Sequence, residues 1–466
     1  MRIRVQVIIE SDQGTAPPHV EEVACFTRGK LMEASLGLRL DEAKQLLAGV
    51  QQTMTAQQVE EYVEQQRQCP YCQDMLAYKG HHQIGLRTLF GKLTLSSPRL
   101  YTCPCQTQEK QSWSPVAALF SERSTPELLC LEVRWASLMS YGLTVDLLSD
   151  LLPMEHQLST STVSRHVHQV AERLEQELGE EQPSFIEGCP AQWYELPEPG
   201  APLTVSLDGG YVHARSPERR KDGSFEVIVG KSTTGEGTTT SFGLVSGYDT
   251  KPRRRLFEVL QSQGLQMNQA VMFLTDGGDT IRDLTEGHSP LKEHILDWFH
   301  ITMRLTVLSQ MAKGVSVQDK GEEFDKELER VKWFLWHGNV YEALQELEGL
   351  ALDIDTEASN EARKLARTLH EFDHYIRTNR SSIPNYGDRY RNEEAISSAV
   401  AESSVNQIVS KRFVKKQQMR WTRRGAHLLL QIRTQALDDT LPATFQRWYP
   451  GMRTDEPKRE PTLAAS

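Results

Sequence analysis

Two stretches of the chain combine a strand pattern with the same Asp-Gly-Gly ending. Residues 203–210 read LTVSLDGG, with apolar and polar residues alternating up to Asp208, and residues 270–278 read AVMFLTDGG, which is apolar almost up to Asp276. The first pattern is typical of a half-buried strand and the second of a strand buried on both faces. Both acids are therefore predicted at the carboxyl ends of strands in an α/β sheet, where ligands usually bind. A simple Asp-Gly-Gly turn or bulge is the alternative at Asp208.

Length and composition define the class of protein. With 466 residues, 38% of them hydrophobic and 25% charged, the chain has the composition of a globular protein with room for several domains. It has no apolar run of membrane-spanning length and no signal-peptide pattern, so we expect a cytoplasmic, nucleoid-associated protein with no membrane partner. The net charge of −11 alone disfavours a nucleic-acid partner, but basic residues are concentrated locally.

The amino-terminal part predicts two segments. Residues 1–66 begin with the alternating run MRIRVQVIIE, a strand, followed by helical patterns, and their function is not readable. Residues 67–115 carry two cysteine pairs around hairpin-like runs and predict a zinc-ribbon-like segment with the ligands Cys69, Cys72, Cys103 and Cys105. The second pair has one intervening residue rather than two. Two alternatives therefore stay open: His81 or His82 takes the place of one cysteine as a zinc ligand, or the segment binds no metal at all.

A helical region follows. Residues 120–180 show three helical patterns with a short one in the middle, and the last begins with exposed polar residues that include Arg165 and His168. This arrangement matches helix-turn-helix geometry, in which the last helix contacts DNA, although any small three-helix bundle gives the same pattern. The Pro- and Glu-rich residues 181–202 are interpreted as a linker.

Two neighbouring acids would repel each other unless a cation lies between them, which predicts a divalent-metal site. The best-placed third carboxylate is Glu402, which precedes a stretch rich in Lys and Arg with interleaved aromatic residues. Such a stretch suits the phosphate backbone of DNA, whereas a solvated helix face is the alternative. The predicted DNA-binding residues of this stretch are Lys411, Arg412, Lys415, Lys416, Arg420, Arg423 and Arg424.

The segments SLDGGYVHAR, FLTDGGDTIRD, HILDWFHITMRL and ESSVNQIVSKRFVKKQQMRWTRRGAHLLLQIR together resemble a bacterial insertion-sequence transposase of the DDE type, nearest the ISKra and ISL group. The resemblance implies a ribonuclease-H-like catalytic core over residues 200–440, an α/β fold with an all-helical insertion at about 312–397, followed by a tail at 441–466. The aromatic residues of that insertion are expected in its core rather than stacked on DNA.

The resemblance also implies the site. Asp208 on the first strand, Asp276 on the fourth and Glu402 on a later helix would be the catalytic residues and the ligands of two Mg²⁺ or Mn²⁺ ions. His300 would orient DNA or a neighbouring group, although a core histidine is the alternative, and Asp297 would be structural. The implied partners are double-stranded DNA, both the terminal inverted repeats and the target, and further copies of the chain.

Two other functions stay open. One is a sequence-specific DNA-binding regulator that has lost catalysis, and the other is a ribonuclease-H-like nuclease. The presence of all three acids favours an active enzyme, and the additional predicted DNA-binding segments favour a transposase over a nuclease.

Overall fold

The chain forms two compact units. The structure is a computed structural model that describes residues 1–10, 17–33, 36–106, 111–120, 122–154, 158–215, 223–315, 320–357, 359–397, 405–414 and 419–452. One unit is Met1–Val170 together with the segment from Thr440, and the other is Ala171–Asp439. Among the helices in these ranges, none combines the length and the apolar character that crossing a membrane requires.

The first unit begins with an antiparallel pair of strands, β1 (Arg2–Ile9) and β2 (His19–Thr27), and a long helix, α1 (Leu40–Gln66). The sequence predicted β1 and the helical segment but not β2. The register between the strands shifts after Val5, which leaves an extra residue, Val23, on β2. Such a bulge breaks the two-residue alternation by which a strand is recognised.

An antiparallel three-stranded sheet follows in the unit. It consists of β3 (Tyr78–Thr88), β4 (Gly91–Tyr101) and β5 (Ser112–Trp113), in that spatial order, and the short helix α2 (Pro115–Leu119) comes next. Buried apolar side chains of β3 and β4 pack against Val59 and Val63 of α1. The predicted hairpin around Gly91 is present as the β3–β4 connection.

Four helices complete this unit: α3 (Pro126–Leu138), α4 (Tyr141–Leu151), α5 (Thr160–Glu177), which continues into the second unit, and a last helix, Leu441–Trp448. The three helices predicted between 120 and 180 are therefore present, and the middle one is the shortest. Ser159 caps α5, because its hydroxyl accepts a hydrogen bond from the Thr162 amide at 3.2 Å. Leu441 and Phe445 of the last helix are buried.

The second unit is built on a mixed five-stranded sheet. After the short helix α6 (Pro190–Trp193), its strands are β6 (Leu203–His213), β7 (Ser224–Thr233), β8 (Thr239–Val245), β9 (Val271–Thr275) and β10 (Lys292–Leu296), in the spatial order β10-β9-β6-β7-β8. Strands β6, β9 and β10 run parallel, whereas β7 is antiparallel to both of its neighbours. This α/β arrangement is compatible with a ribonuclease-H-like core.

The position of Asp208 differs from the prediction. Strand β6 does not end at this acid but continues through Gly209 and Gly210, which pair with Ile228 and Val227 of β7. Neither a turn nor a strand end is therefore present at Asp208. The packing at Gly210 is close, because a Cβ atom there would lie 3.3 Å from Cγ1 of Val405.

Helices cover the sheet, and further helices follow β10 in the region where the insertion is predicted. Helices α7 (Pro252–Ser262) and α8 (Asp279–Leu284) pack apolar residues against the sheet. After β10 come α9 (Trp298–Val315), α10 (Lys320–Trp336), α11 (Val340–Asp353), α12 (Asn360–Thr378), a 3₁₀ turn (Arg380–Ser382) and α13 (Tyr386–Arg391). They share a core in which Leu335, Leu347 and Phe372 are buried. Trp333 departs from the expected core position, since it is 56% exposed.

The second unit ends with a π-helix (Asn406–Val414) and helix α14 (Arg423–Leu437). The last helix of the first unit, Leu441–Trp448, is α15 in chain order. The side-chain amide of Gln431 on α14 donates to the backbone oxygen of Gly243 at 3.0 Å, which holds α14 against β8. The π-helix packs on β6 at Gly210.

Candidate active site

Strand register brings three carboxylates to the same level of the sheet. The parallel pairing of β6 with β9 matches Ser206 with Leu274, and continuing it by two residues puts Asp208 level with Asp276. The pairing of β9 with β10 matches Thr275 with Leu296, which puts Asp297 level with Asp276 as well. Adjacent strands lie about 4.8 Å apart, so the acids form a row across neighbouring strands.

A histidine faces this row from helix α9. The Nε2 atom of His300 lies 4.0 Å from Oδ1 of Asp208 and 3.8 Å from Oδ2 of Asp297. Asp297 is completely buried, and its Oδ1 accepts a hydrogen bond from the Phe299 amide at 2.9 Å, which caps the start of α9. The capped helix start places His300 beside the acids.

The electrostatics of the row favour a cation. Burial raises the pKa of Asp208, and repulsion by Asp276 and Asp297 raises it further, while His300 and the Gly209 amide act in the opposite direction. A carboxylate that is costly to ionise beside other carboxylates is stabilised in its charged form by a bound cation. The row therefore suits a divalent metal ion with oxygen ligands, such as Mg²⁺ or Mn²⁺.

The backbone turn after β9 carries Asp276 and is held from several directions. The Tyr375 hydroxyl donates to the backbone oxygen of Asp276 at 2.9 Å. The Arg282 side chain donates to the Gly277 oxygen at 3.1 Å and to Oδ1 of Asn379 at 2.8 Å. Gly277 has a φ of +80°, and a Cβ atom there would lie 2.6 Å from Oδ1 of Asn379. The turn therefore requires glycine at this position.

A chain of hydrogen bonds beneath the turn supports it. The Gly277 amide donates to the Thr275 hydroxyl at 3.1 Å, and this hydroxyl lies 2.7 Å from Nε2 of His294. The Nδ1 atom of His294 lies 3.0 Å from the Ser382 hydroxyl. Burial lowers the pKa of His294 to about 4, so the ring is neutral at pH 7 and bridges two hydroxyls. Sequence reasoning missed these residues because Ser382 and His294 are far apart in the chain.

The third predicted carboxylate, Glu402, lies outside the described residues, as do Lys415 and Lys416. The π-helix begins four residues after Glu402 and packs on β6 two residues beyond Asp208. Glu402 as a ligand stays a prediction.

Among the described residues, two groups bring three or more potential metal ligands within 4.8 Å of one another. The acid row is not one of them. A pair of ions about 3.5–4 Å apart has ligands spread over a wider span than a single ion, so a more open row is consistent with a two-ion site.

One of the compact groups, Glu175, Asp249 and His427, is an ion-pair network rather than a metal site. The buried guanidinium of Arg255 occupies its centre, with Nε 2.9 Å from Oδ2 of Asp249 and Nη2 2.9 Å from Oε2 of Glu175. Its Nη1 donates to Oε1 of Gln431 at 2.7 Å. A cation is therefore already present among these ligands.

The other compact group consists of Cys69, Cys72, Cys103 and Cys105, in the first unit. The Sγ atoms of Cys69 and Cys105 lie 3.5 Å apart, and those of Cys72 and Cys103 lie 3.4 Å apart. Backbone amides of Cys72 and Tyr71 lower the pKa of Cys69 to about 6, which favours the thiolate that binds metal. Four converging sulfurs could hold a zinc ion, and neither His81 nor His82 belongs to the group.

The predicted basic stretch is divided between surface and core. Lys411, Arg420, Arg423 and Arg424 are exposed. Arg412 is fully buried, with its guanidinium 5.0 Å from the ring centre of Trp421. A direct contact of Arg412 with DNA is therefore wrong for this conformation, because its positive charge packs on an aromatic face inside the unit. Of the predicted residues on α5, Arg165 is exposed and His168 is half-buried.

Arg433, on α14, holds the π-helix. Its side chain donates to the backbone oxygen of Ile408 at 2.6 Å and also to that of Gln407. Burial and, to a smaller extent, the nearby charge of Arg412 together lower the pKa of Arg433 to about 10. The side chain still carries its charge at pH 7, which strengthens both hydrogen bonds.

We expect Arg433→Met to lower the free energy of unfolding by about 2–3 kcal/mol, because carbonyl oxygens of the π-helix lose a charged donor. Arg423→Met makes the same chemical change at an exposed position of the same helix and should change it by less than about 0.5 kcal/mol. Urea unfolding followed by tryptophan fluorescence measures both. Equal midpoints for the two variants would contradict the role given to Arg433.

No protein-family profile matches the chain, and no curated protein matches it either. Among solved structures, the chain is similar to the Drosophila P element transposase strand transfer complex, at 9% sequence identity over 72% of this chain and 84% of that chain, with a TM-score of 0.23. A likeness of this size assigns the chain to no family, so its function has to follow from the geometry of its own site.

Proposed function

We propose that this chain is a transposase of an insertion sequence, which cleaves DNA at terminal inverted repeats and joins it to a target in a divalent-metal-dependent reaction. The observation that carries the proposal is the row formed by Asp208 within β6, Asp276 directly after β9 and Asp297 directly after β10, with His300 facing it. Such a row brings carboxylates together at one level of a sheet, and carboxylate oxygens are the ligands that metal ions use in phosphoryl transfer.

In this proposal Asp208, on the central strand of the sheet, would be a ligand of both metal ions, Asp276 would hold one of them and Glu402 the other. When bound, the metal ions would supply a nucleophilic oxygen at neutral pH and would stabilise the departing oxygen. His300 lies close enough to Asp208 to orient this carboxylate or a phosphate of the DNA strand. Asp297 keeps His300 in place through the start of α9.

The four-cysteine group and the three-helix region would bind the terminal repeats, with zinc in the cysteine group. The exposed basic residues before and at the start of α14 would contact phosphates. An active assembly of more than one copy is expected, because a strand-transfer reaction brings two element ends together.

The test is cleavage of a labelled duplex that carries the inverted repeat bracketing the coding region, with Mg²⁺ or Mn²⁺. The wild type is compared with Asp208→Ala, Asp276→Ala and Glu402→Ala. Metal-dependent cleavage that is lost in all three variants supports the transposase. Tight binding without cleavage by any protein, the wild type included, would instead support a DNA-binding regulator.

The exposed arginines of α14 give a separate prediction. We expect Arg423→Ala and Arg424→Ala each to reduce the slope of log binding constant against log salt by up to about 0.9, the contribution of one phosphate contact. Arg424 forms an ion pair with Glu172. The matched control is therefore Arg367→Ala, because Arg367 is also an exposed arginine in an ion pair, with Glu371. Fluorescence anisotropy at several salt concentrations measures the slopes, and equal slopes in all variants would oppose a DNA contact at α14.

A further inference from the structure

We propose that Arg304 is a phosphate-binding residue of the candidate active site and that Tyr375 is the positioning residue that holds it there. The inference rests on the proposed function and adds a DNA contact to it. Neither residue belongs to the predicted catalytic set or to the predicted basic stretch.

Arg304 lies on the side of α9 that faces the acids. It follows His300 by four residues, which places both side chains on the same face of the helix. His300 of this face approaches Asp208 and Asp297 to within 4.0 Å and 3.8 Å. The next side chain along the face therefore lies at the edge of the acid row.

The side chain of Arg304 is exposed, and no carboxylate within the described ranges forms a salt bridge with it. Its guanidinium carbon instead lies 4.2 Å from the ring centre of Tyr375. One N–H group of this guanidinium interacts with the Tyr375 hydroxyl. A guanidinium has five N–H donors, so the others remain available to a ligand. The arginine is thus held in place without its donors being used by an acid.

Tyr375 connects this arginine to the Asp276 turn. Its hydroxyl donates to the backbone oxygen of Asp276 at 2.9 Å, and its ring is the surface on which Arg304 lies. Tyr375 therefore contacts both the turn that carries Asp276 and the exposed guanidinium of Arg304.

The chemistry of the site needs such a cation. A DNA phosphate that approaches several carboxylates is repelled until positive charge is supplied. A planar guanidinium can donate two parallel hydrogen bonds to phosphate oxygens, which attracts the phosphate and also orients it. Because Tyr375 lies on α12, the helical insertion would contribute to substrate binding through this contact.

Two measurements test the contact: the salt slope of binding to the inverted-repeat duplex in EDTA, and the rate of Mg²⁺-dependent cleavage of the same duplex. Arg304→Ala should reduce the slope by about 0.9 and cleavage by about 10²-fold. Arg304→Lys should keep the slope and restore only part of the cleavage, because lysine lacks the planar pair of donors. Arg367→Ala, at an exposed position on α12, is the control and should change neither.

Two variants of the tyrosine separate positioning from general stability. Tyr375→Phe keeps the ring, so it should keep the wild-type salt slope although it loses the hydrogen bond to Asp276. Tyr375→Leu removes the ring and should reduce the slope as Arg304→Ala does. A Tyr375→Leu slope equal to that of the wild type would overturn the positioning role.

The outcomes also separate this inference from the proposed function. Wild-type cleavage with an unchanged slope and rate in Arg304→Ala would overturn the phosphate contact and leave the transposase proposal standing. A reduced slope in Arg304→Ala, with no cleavage by the wild type, would support the contact and contradict the transposase.

Discussion

Replacement of Asp208 by Asn should reduce metal-dependent DNA cleavage by at least about 10³-fold, because a lost metal ligand removes several kcal/mol of charge stabilisation and each 1.36 kcal/mol is a factor of ten. Asp283→Asn is the matched control, since it makes the same change at an exposed position of α8. The rate of nicking of a labelled duplex in Mg²⁺ measures the effect. Comparable rates in the two variants would remove Asp208 from the catalytic set.

The same variant should not be less stable in metal-free buffer. Burial and the neighbouring acids raise the pKa of Asp208 in the folded protein. A raised carboxyl pKa lowers stability as pH rises through the ordinary pKa towards the raised one, and the cost is present in full above the raised pKa. Asparagine has no such cost, so its thermal midpoint at pH 7 should equal or exceed that of the wild type.

With added Mg²⁺ or Mn²⁺, the thermal midpoint of the wild type should exceed that of Asp208→Asn. An ion that binds only the folded protein raises the midpoint of the wild type, and Asp208→Asn should lose most of that increase. A metal-dependent increase that persists in Asp208→Asn would place the ion elsewhere.

Replacement of Cys69 by Ser should release one bound zinc ion per chain and destabilise the segment that contains the cysteine group by several kcal/mol, because metal binding there is coupled to folding. Cys25→Ser, at an exposed cysteine of the same unit outside the group, should retain the zinc. Elemental analysis and thermal unfolding with and without a chelator measure both effects. Purified wild-type protein without zinc, and unaffected by the chelator, would contradict the metal site.

The cysteine site should also depend on pH in a defined direction. The pKa of Cys69 is lowered to about 6, so this sulfur is mainly a thiolate at pH 7 and becomes protonated below pH 6. Hydrogen bonding with Cys103 raises the pKa of Cys105, and the pKa of Cys72 is raised as well. Protons compete with the metal for all the thiolates, so zinc affinity should fall continuously as the pH is lowered from above neutrality to below pH 6.

Local sequence patterns predicted a large part of the fold. The alternation in β1, the uniformly apolar β9 and the helical periodicity of the insertion each follow from side-chain burial within a single element. The two cysteine pairs were visible as metal-ligand spacing, although the single residue between Cys103 and Cys105 left the ligand set open. The four sulfurs converge in the structure because β3 and β4 form a hairpin between the two pairs.

Other features were not readable from the sequence. Asp-Gly-Gly at Asp208 matches a common turn, yet the strand continues there because β7 pairs with both glycines and Val405 packs against Gly210. Arg412 has the sequence context of a surface charge but lies in the core beside Trp421. In each case the outcome depends on a partner from a distant part of the chain.

The sequence by itself determined which elements form and which residue types are available: strands that carry Asp208 and Asp276, a DWFH segment, four cysteines and a basic stretch. Only the tertiary structure decided which of them meet. Parallel strand register aligns Asp208, Asp276 and Asp297, and Tyr375 of the insertion reaches the Asp276 turn across 99 residues of chain. Periodicity records the burial of a residue within its own element, whereas register and long-range contacts arise only when the elements pack together.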